Sequence, residues 1–149
     1  MEYIAPGLVM MSVITNSYGN VVGSFFNAKI QCHIEELLVS PLSEVSIVIG
    51  YLAGGIIRGL AVGTVVTFIA LFFTQINIKY PFMTFFVVIM TAGVFSLAGL
   101  INAIFARKFD DIAVIPSFVL APLTYLGGVF YTVSLLPEFW QTISKLNPI

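Results

Sequence analysis

Charged residues are scarce in this chain. Of its 149 residues only 9% are Asp, Glu, Lys or Arg, while 59% are hydrophobic and the mean hydropathy is +1.06. Soluble domains are about 45–50% apolar and about 25% charged, so a soluble core of this size could not bury so many apolar side chains. The formal net charge of −1 gives no support for nucleic-acid binding, which requires clustered Lys and Arg. The composition therefore predicts a chain whose solvent is largely lipid.

Catalytic and metal-binding patterns are also absent from the sequence. It has one cysteine, Cys32, beside one histidine, His33, which excludes an internal disulfide framework and a tetrahedral Cys/His metal site. It has no Walker A sequence for binding ATP and no G-x-S-x-G nucleophile elbow. The sequence therefore predicts neither an enzyme nor a chain that binds its own cofactor.

Four stretches are long and apolar enough to cross a bilayer, which takes about 20 residues. They cover residues 3–26, 46–73, 82–106 and 112–136. The first is the weakest because Asn16, Ser17 and Asn20 interrupt it. We expect helices because an open sheet would leave unpaired backbone groups in hydrocarbon. The predicted fold is an all-α integral membrane protein, a single domain over residues 1–149 with four transmembrane helices.

The loops between these stretches carry a weak charge bias. Lys29, Arg107 and Lys108 lie on one side of the membrane, against Lys79 and Lys145 on the other. The positive-inside rule places the Lys29 and Arg107 loops in the cytoplasm and both chain ends outside. An external amino terminus without a leader is a first indication that the chain is a fragment.

The first cytoplasmic loop contains a short acidic segment, KIQCHIEELLVSPLSE. In a helix over residues 30–40 one face would be acidic, with Glu35 and Glu36, and the other apolar. The apolar face would hold Ile30, Ile34, Leu37 and Leu38. Such a helix is too short to span the membrane, so it should lie along the cytoplasmic surface. It is either an ordinary interfacial helix or a contact for a protein partner, which acidic residues suit better because cytoplasmic leaflets are anionic.

The second stretch contains glycines and one charge. Gly55, Gly59 and Gly63 repeat the G-x-x-x-G spacing on nearly one face. They would let another helix approach closely, within the subunit or at a dimer contact or translocation surface. Arg58 lies among them, where an unpaired guanidinium costs at least ~2.5 kcal/mol. It must reach the cytoplasmic interface, line a wet path, or find a partner such as Asn102 or a carbonyl near the glycines.

Four successive segments resemble the ABC type-2 exporter permeases. APGLVMMSVITNSYGNVVGSFFNAKIQCHIEELLVSPLS is similar to their second span and the following cytoplasmic helix, and GYLAGGIIRGLAVGTVV to their third span. FSLAGLINAIFARKFDDIAVIPSFVLAPLTYLGGVFY resembles spans four and five, and SLLPEFWQTISKLNPI the external segment before span six. The likeness covers essentially the whole chain.

The resemblance implies a multi-pass protein of the bacterial inner membrane that pairs with a second permease copy. It implies that Ile34–Ser40 is a coupling helix docking onto a separate subunit that hydrolyses ATP. The coupling contacts would come from Ile34, Glu35, Glu36, Leu37 and Leu38. It further implies that the chain holds spans two to five of six, without counterparts of the family's amino-terminal cytoplasmic helix, first span and sixth span.

Two more segments carry alternatives. The RKFDD turn, with Asp110 and Asp111, is a solvated turn, a second contact with the ATPase subunit, or a cap for the next helix. Residues 137–146 are predicted to form a short external helix that anchors at the interface, and the resemblance implies a partly re-entrant element. Pro116 and Pro122 predict kinks in the fourth stretch.

The sequence thus predicts the membrane-spanning subunit of an ATP-binding cassette exporter. Its Phe-rich spans with few polar groups suit a lipid-linked, amphipathic or hydrophobic cargo better than a small ion, but they equally fit a lipid-facing surface. A lipid-like, polysaccharide or drug-like cargo therefore remains open. Two alternatives remain open. One is a small four-helix membrane scaffold or assembly protein, which would need no ATPase. The other is a passive channel, which would conduct without nucleotide.

Overall fold

The computed structural model describes residues 4–74, 80–130, 133–135 and 137–147, and every regular element within these ranges is helical. The α-helices in them are α1 Ile4–Ile30, α2 His33–Val39, α3 Glu44–Phe73, α4 Pro81–Phe105, α5 Phe109–Ile115, α6 Ala121–Leu126 and α7 Glu138–Leu146. A π-helical turn, Pro116–Leu120, joins α5 to α6, and a 3₁₀ turn, Val133–Leu135, precedes α7.

Local sequence sets the boundaries of the helices at the first loop. Cys32 has a left-handed backbone with φ of 59°, which separates α1 from α2. The Ser43 hydroxyl accepts a hydrogen bond from the backbone N–H of Ser46 at 3.3 Å and caps α3. The predicted helix over 30–40 is therefore not continuous. Ile30 is the last residue of α1, and a separate helix of seven residues, α2, begins at His33.

Among the described residues, three helical stretches are long and apolar enough to cross a membrane: α3, α4 and the continuous helix from Phe109 to Leu126. They correspond to three of the four predicted spans. Helix α1 has 27 residues but is not among them, since polar residues such as Asn16 and Asn20 lower its hydropathy. Its role as a span stays a prediction. Large apolar side chains on α3 and α4 face outward, as lipid-facing surfaces require; Phe73 is 82% exposed and Phe82 is 86% exposed.

The last helical stretch is shorter than the predicted span over residues 112–136. It ends at Leu126, and the chain then turns through Gly127 and Gly128. The φ of Gly128 is 81°, a backbone conformation that residues with a Cβ rarely adopt. The helix therefore stops ten residues before the predicted boundary, and Leu136 itself lies outside the described residues.

Pro116 explains the irregular middle of this helix. Because proline has no N–H, the carbonyl of Ile112 loses its usual helical donor. The side-chain amide of Asn102 donates to this carbonyl at 3.4 Å and to the Tyr18 hydroxyl at 2.6 Å. The N–H of Ala121 donates to the Pro116 carbonyl five residues earlier, which closes the π turn. Buried Asn102 thus connects α1, α4 and α5.

Helix α1 lies between α3 and α4 and contributes most of the core. It packs against both, and they contact each other less extensively. Its buried face repeats every three to four residues, as a helix period requires. The buried side chains on that face include Val13, Ser17, Tyr18, Val21, Val22 and Phe26.

Glycines allow α1 to approach its neighbours closely. Gly55, Gly59 and Gly63, which share one face of α3, are buried against α1. A Cβ added at Gly59 would overlap the Ser17 hydroxyl. On α4, a Cβ at Gly99 would lie 2.8 Å from the backbone oxygen of Tyr18. Such contacts bring the helix backbones close enough for van der Waals attraction to hold the bundle in lipid, where apolar burial gives little driving force.

Replacing Gly99→Ala should therefore push α4 away from α1 and lower the thermal unfolding temperature in detergent. The overpacking costs about 1–3 kcal/mol and exceeds the roughly 1 kcal/mol that Ala gains over Gly in a helix. Gly93→Ala on the same helix is the matched control, since its Cβ would meet only the Ile56 side chain at 3.8 Å. An unchanged or higher unfolding temperature for Gly99→Ala would contradict the close packing.

Candidate functional site

Helix α2 presents a mixed acidic and apolar surface at the end of the bundle where α1 ends and α3 begins. Glu35 and Glu36 are exposed there. Leu38 and Val39 are also exposed, at 64% and 88%. These four residues, the α2 surface, combine two charges with two uncovered apolar side chains.

The predicted apolar stripe of this segment points inward only in part. Ile34 and Leu37 are half-buried, whereas Leu38 is exposed, and Ile30 belongs to α1. The helix ends because Ser40 has an extended backbone, with its N–H donating to the Glu36 carbonyl at 3.1 Å.

The two acids of the second turn have different surroundings. One carboxylate oxygen of Asp111 accepts hydrogen bonds from the backbone N–H groups of Arg107 at 2.9 Å and Lys108 at 3.1 Å. Asp111 therefore orders the turn that starts α5, where a negative charge also favours the helix dipole. Both acids are exposed, so a partner could reach either, although one oxygen of Asp111 is already bonded to the turn.

Lys29 joins the two turns at this end of the bundle, a role that its sequence position did not reveal. Its Nζ donates to the carbonyls of Ile104 at 2.8 Å and Ala106 at 2.9 Å. These carbonyls lie at the end of α4, where no intrahelical donor is available. The rings of Phe26 and Phe109 meet nearby in a T-shaped contact with centroids 5.0 Å apart. The helix that leads into α2 is thus attached to the end of α4 and the start of α5.

A polar groove runs along the outer face of α1, opposite the face that packs against α3 and α4. Its volume is about 330 Å³. The residues that line it include Thr15, Asn16, Gly19, Asn20, Ser24 and Asn27 of α1, with Arg58 of α3. Their spacing of three and four residues places them on one face of a helix. The asparagines that weakened the first predicted span are therefore gathered on one surface.

Arg58 is an exposed side chain at the edge of this groove. Its Nη1 donates to the side-chain oxygen of Asn20 at 3.2 Å. Asn102 was one of the partners that the sequence left open for Arg58, but its amide bonds to Tyr18 and Ile112 instead. Arg58 and Gly59 are neighbours in sequence but face different surroundings, one the groove and the other the packed interface with α1.

Helix α7 is attached to the other end of the bundle through two side chains near its carboxyl end. The Ser144 hydroxyl donates to the Leu126 carbonyl at 2.8 Å. The Asn147 side-chain amide donates to the Leu123 carbonyl at 2.6 Å. Both carbonyls belong to the last turn of α6, so these bonds cap that helix. The amphipathic tail, with Trp140 partly exposed, therefore has a defined position against α6.

Comparison with known proteins places the chain in a family. The family model of the ABC-2 type transporter matches residues 1–149. The chain belongs to the ABC-2 type transporter family.

This ABC-2 type chain is 56% identical over 149 residues to the inner membrane transport permease YadH of Escherichia coli. All of the chain aligns, but it spans only 58% of that relative's length. Nodulation protein J of Sinorhizobium fredii is 26% identical over 152 residues, which cover 57% of it. Nodulation protein J of Rhizobium leguminosarum bv. viciae is 22% identical over 148 residues. No solved structure gives a significant match.

Family membership confirms the predicted resemblance and, with the three apolar helices, a multi-pass protein of the inner membrane. The predicted residues of this ABC-2 type chain fall in three places. The predicted coupling residues of α2 and the acids Asp110 and Asp111 lie at one end of the bundle, Gly55, Gly59 and Gly63 in the core, and Arg58 at the groove.

Replacing Lys29→Met should loosen the connection between α1 and α4. Two carbonyls lose an ammonium donor, and because the site is exposed we expect a loss of only about 1 kcal/mol. Hydrogen–deuterium exchange should become faster at residues 104–108. Lys108→Met is the matched control, since it removes a positive charge from the same turn but no bond to the end of α4. Equal exchange in both variants would show that Lys29 does not connect the turns.

Proposed function

We propose that the chain is part of the membrane-spanning permease subunit of an ABC exporter driven by a separate ATPase subunit. The observation that carries this proposal is the α2 surface. A seven-residue helix with two exposed carboxylates and two exposed apolar side chains projects from one end of an apolar bundle. Because such a surface suits neither lipid nor the bundle core, it suits a protein partner. The family of the chain makes an ATP-hydrolysing subunit the expected partner.

Movement of α2 would reach the spans through bonded contacts. A push on α2 acts on the end of α1, where Lys29 holds the last carbonyls of α4 and Phe26 contacts Phe109. The Asn102 amide then connects α1 and α4 to α5 beside Pro116. Docking therefore changes the bundle if the ATPase binds one arrangement of these helices more tightly than the other. Asp110 and Asp111 supply a second contact on the same end.

The proposed topology has four spans. Helix α1 is added to the three apolar stretches as the first span of the chain. Its polar groove faces protein or water rather than lipid, because asparagines in hydrocarbon would remain unsatisfied. The α2 surface and the Asp110 turn lie in the cytoplasm, and α7 lies outside as an interfacial or re-entrant helix. A second permease copy completes the transporter. The cargo is a lipid-like, polysaccharide or drug-like molecule moved outward.

The test is a charge reversal on the α2 surface. The double variant Glu35→Arg, Glu36→Arg should weaken binding of the ATPase subunit and its permease-stimulated ATP hydrolysis at least about tenfold. Reversal of interfacial charges costs about 2 kcal/mol or more, and 1.4 kcal/mol is tenfold in affinity. Co-purification from native membranes and hydrolysis in nanodiscs report the two effects. Glu138→Arg, which reverses an exposed acid of α7, is the control and should change neither.

Three outcomes would overturn the proposal. Unaltered ATPase binding and hydrolysis in the double variant would remove α2 as the coupling helix. Purification of the native protein with no stoichiometric ATPase would favour a scaffold or assembly protein. Ion conductance in planar bilayers without nucleotide would favour a passive channel, which the polar groove along α1 could line.

A further inference from the structure

The polar groove holds a positive charge, that of Arg58, which no negative side chain in its lining balances. Apart from Arg58, the side chains that line it are neutral amides, hydroxyls and glycines. The described acidic residues of the chain lie in α2 or in the first turns of α3, α5 and α7. None of them lies in the groove. The groove therefore has one fixed positive charge and no described carboxylate to balance it.

The guanidinium of Arg58 has more N–H donors than its bond to Asn20 uses. It carries five N–H groups in a planar fork that matches phosphate and carboxylate geometry. One nitrogen, Nη1, bonds to the neutral oxygen of Asn20 at 3.2 Å. The bond to Asn20 orients the fork without neutralising it. The amide of Asn27 and the hydroxyl of Ser24 line the same groove and add neutral donors for an oxyanion. The Asn16 amide, which gives one N–H to the Ser12 carbonyl at 2.9 Å, has a second N–H to add.

The position of Arg58 makes an uncompensated charge costly. It follows Glu44, the first residue of α3, by fourteen positions, which is about 21 Å along the helix at 1.5 Å per residue. At this depth the charge requires either water or an anionic partner. The groove extends along α1 from Thr15 to Asn27, three residues before α1 ends. It can therefore admit a polar group from the end of the bundle that carries α2.

We propose that the groove between α1 and Arg58 binds an anionic group, phosphate or carboxylate, of the transported molecule. The class of cargo is then an amphipathic or soluble anion whose charged group passes along α1 and is held at Arg58. This inference rests on the proposed function, because the bound anion is cargo only if the protein is a transporter. Its test uses thiol chemistry and ligand binding, which require neither an ATPase nor transport, so the two proposals can fail separately.

The first test measures the electrostatic preference of the groove. In full-length protein carrying Cys32→Ser, the variant Ser24→Cys places a thiol in the groove. A methanethiosulfonate bearing a sulfonate should label it about tenfold faster than one bearing trimethylammonium, since a nearby guanidinium in a partly dehydrated site favours the anion by that order. Ile101→Cys on α4, 56% exposed on an apolar surface, is the control and should be unreactive to both reagents.

Two variants test whether Arg58 causes the preference for the sulfonate reagent. Arg58→Gln should abolish the preference for the sulfonate reagent. Asn20→Asp should abolish it too with Arg58 still present, because a carboxylate placed within bonding distance of Nη1 would neutralise the guanidinium. Asn16→Asp in Arg58→Gln protein is the complementary control and should favour the cationic reagent. Equal rates for both reagents at Ser24→Cys would overturn the proposal, and so would a thiol inaccessible to both, which would mean that other protein fills the groove.

The second test identifies the source of the anion. Dihexanoyl phosphatidic acid should slow sulfonate labelling of Ser24→Cys about tenfold, whereas dihexanoylglycerol, which lacks the phosphate, should not. Inorganic phosphate at the same concentration separates the sources. Protection by the lipid alone assigns a lipid-linked phosphate, and equal protection by inorganic phosphate assigns a free anion. Absence of protection by either compound, or equal protection by dihexanoylglycerol, would overturn the anion site.

Discussion

The close approach of α1 to α3 and α4 is the contact on which the rest of the structure depends. In a bilayer the apolar faces of helices gain little by leaving lipid, so association relies on van der Waals contact between surfaces that fit. The glycines of α3 meet Ser17 and its neighbours on α1, and Gly99 of α4 meets the backbone at Tyr18. The Ser17 and Ser96 hydroxyls, buried here without a hydrogen-bond partner among the described residues, contribute through their small size.

This packing divides α1 into two faces with different tasks. The face turned to α3 and α4 holds the bundle together, which leaves the asparagines and Ser24 on the opposite face. The orientation of α1 about its own axis also brings Asn20 within hydrogen-bonding distance of Arg58. A helix of mixed polarity can thus belong to a membrane bundle, because its polar residues are gathered where protein, water or a ligand can satisfy them.

Side chains that bond to helix ends connect the packed helices to the end of the bundle that carries the α2 surface. Lys29 holds the end of α4, Asp111 orders the start of α5, and Asn102 satisfies the carbonyl that Pro116 leaves free. Each bond satisfies backbone groups that a helix terminus or a proline leaves without a partner. The two turns that Lys29 joins are therefore one unit, as the proposed coupling through α2 requires.

The sequence by itself determined the membrane class, three of the apolar spans and the family. Length, composition and short motifs are properties of contiguous residues, which is why they could be predicted. It also identified Gly55, Gly59, Gly63, Arg58 and the acidic segment as residues of interest. It left the partner of Arg58 open without identifying Asn20, began the short helix at Ile30 and extended the last span to Leu136. Only the tertiary structure decided that α1 is central, that Asn20 faces Arg58 and that Lys29 caps α4. Those contacts join residues 38 and 75 positions apart, and helix rotation and packing, which bring them together, depend on several helices at once.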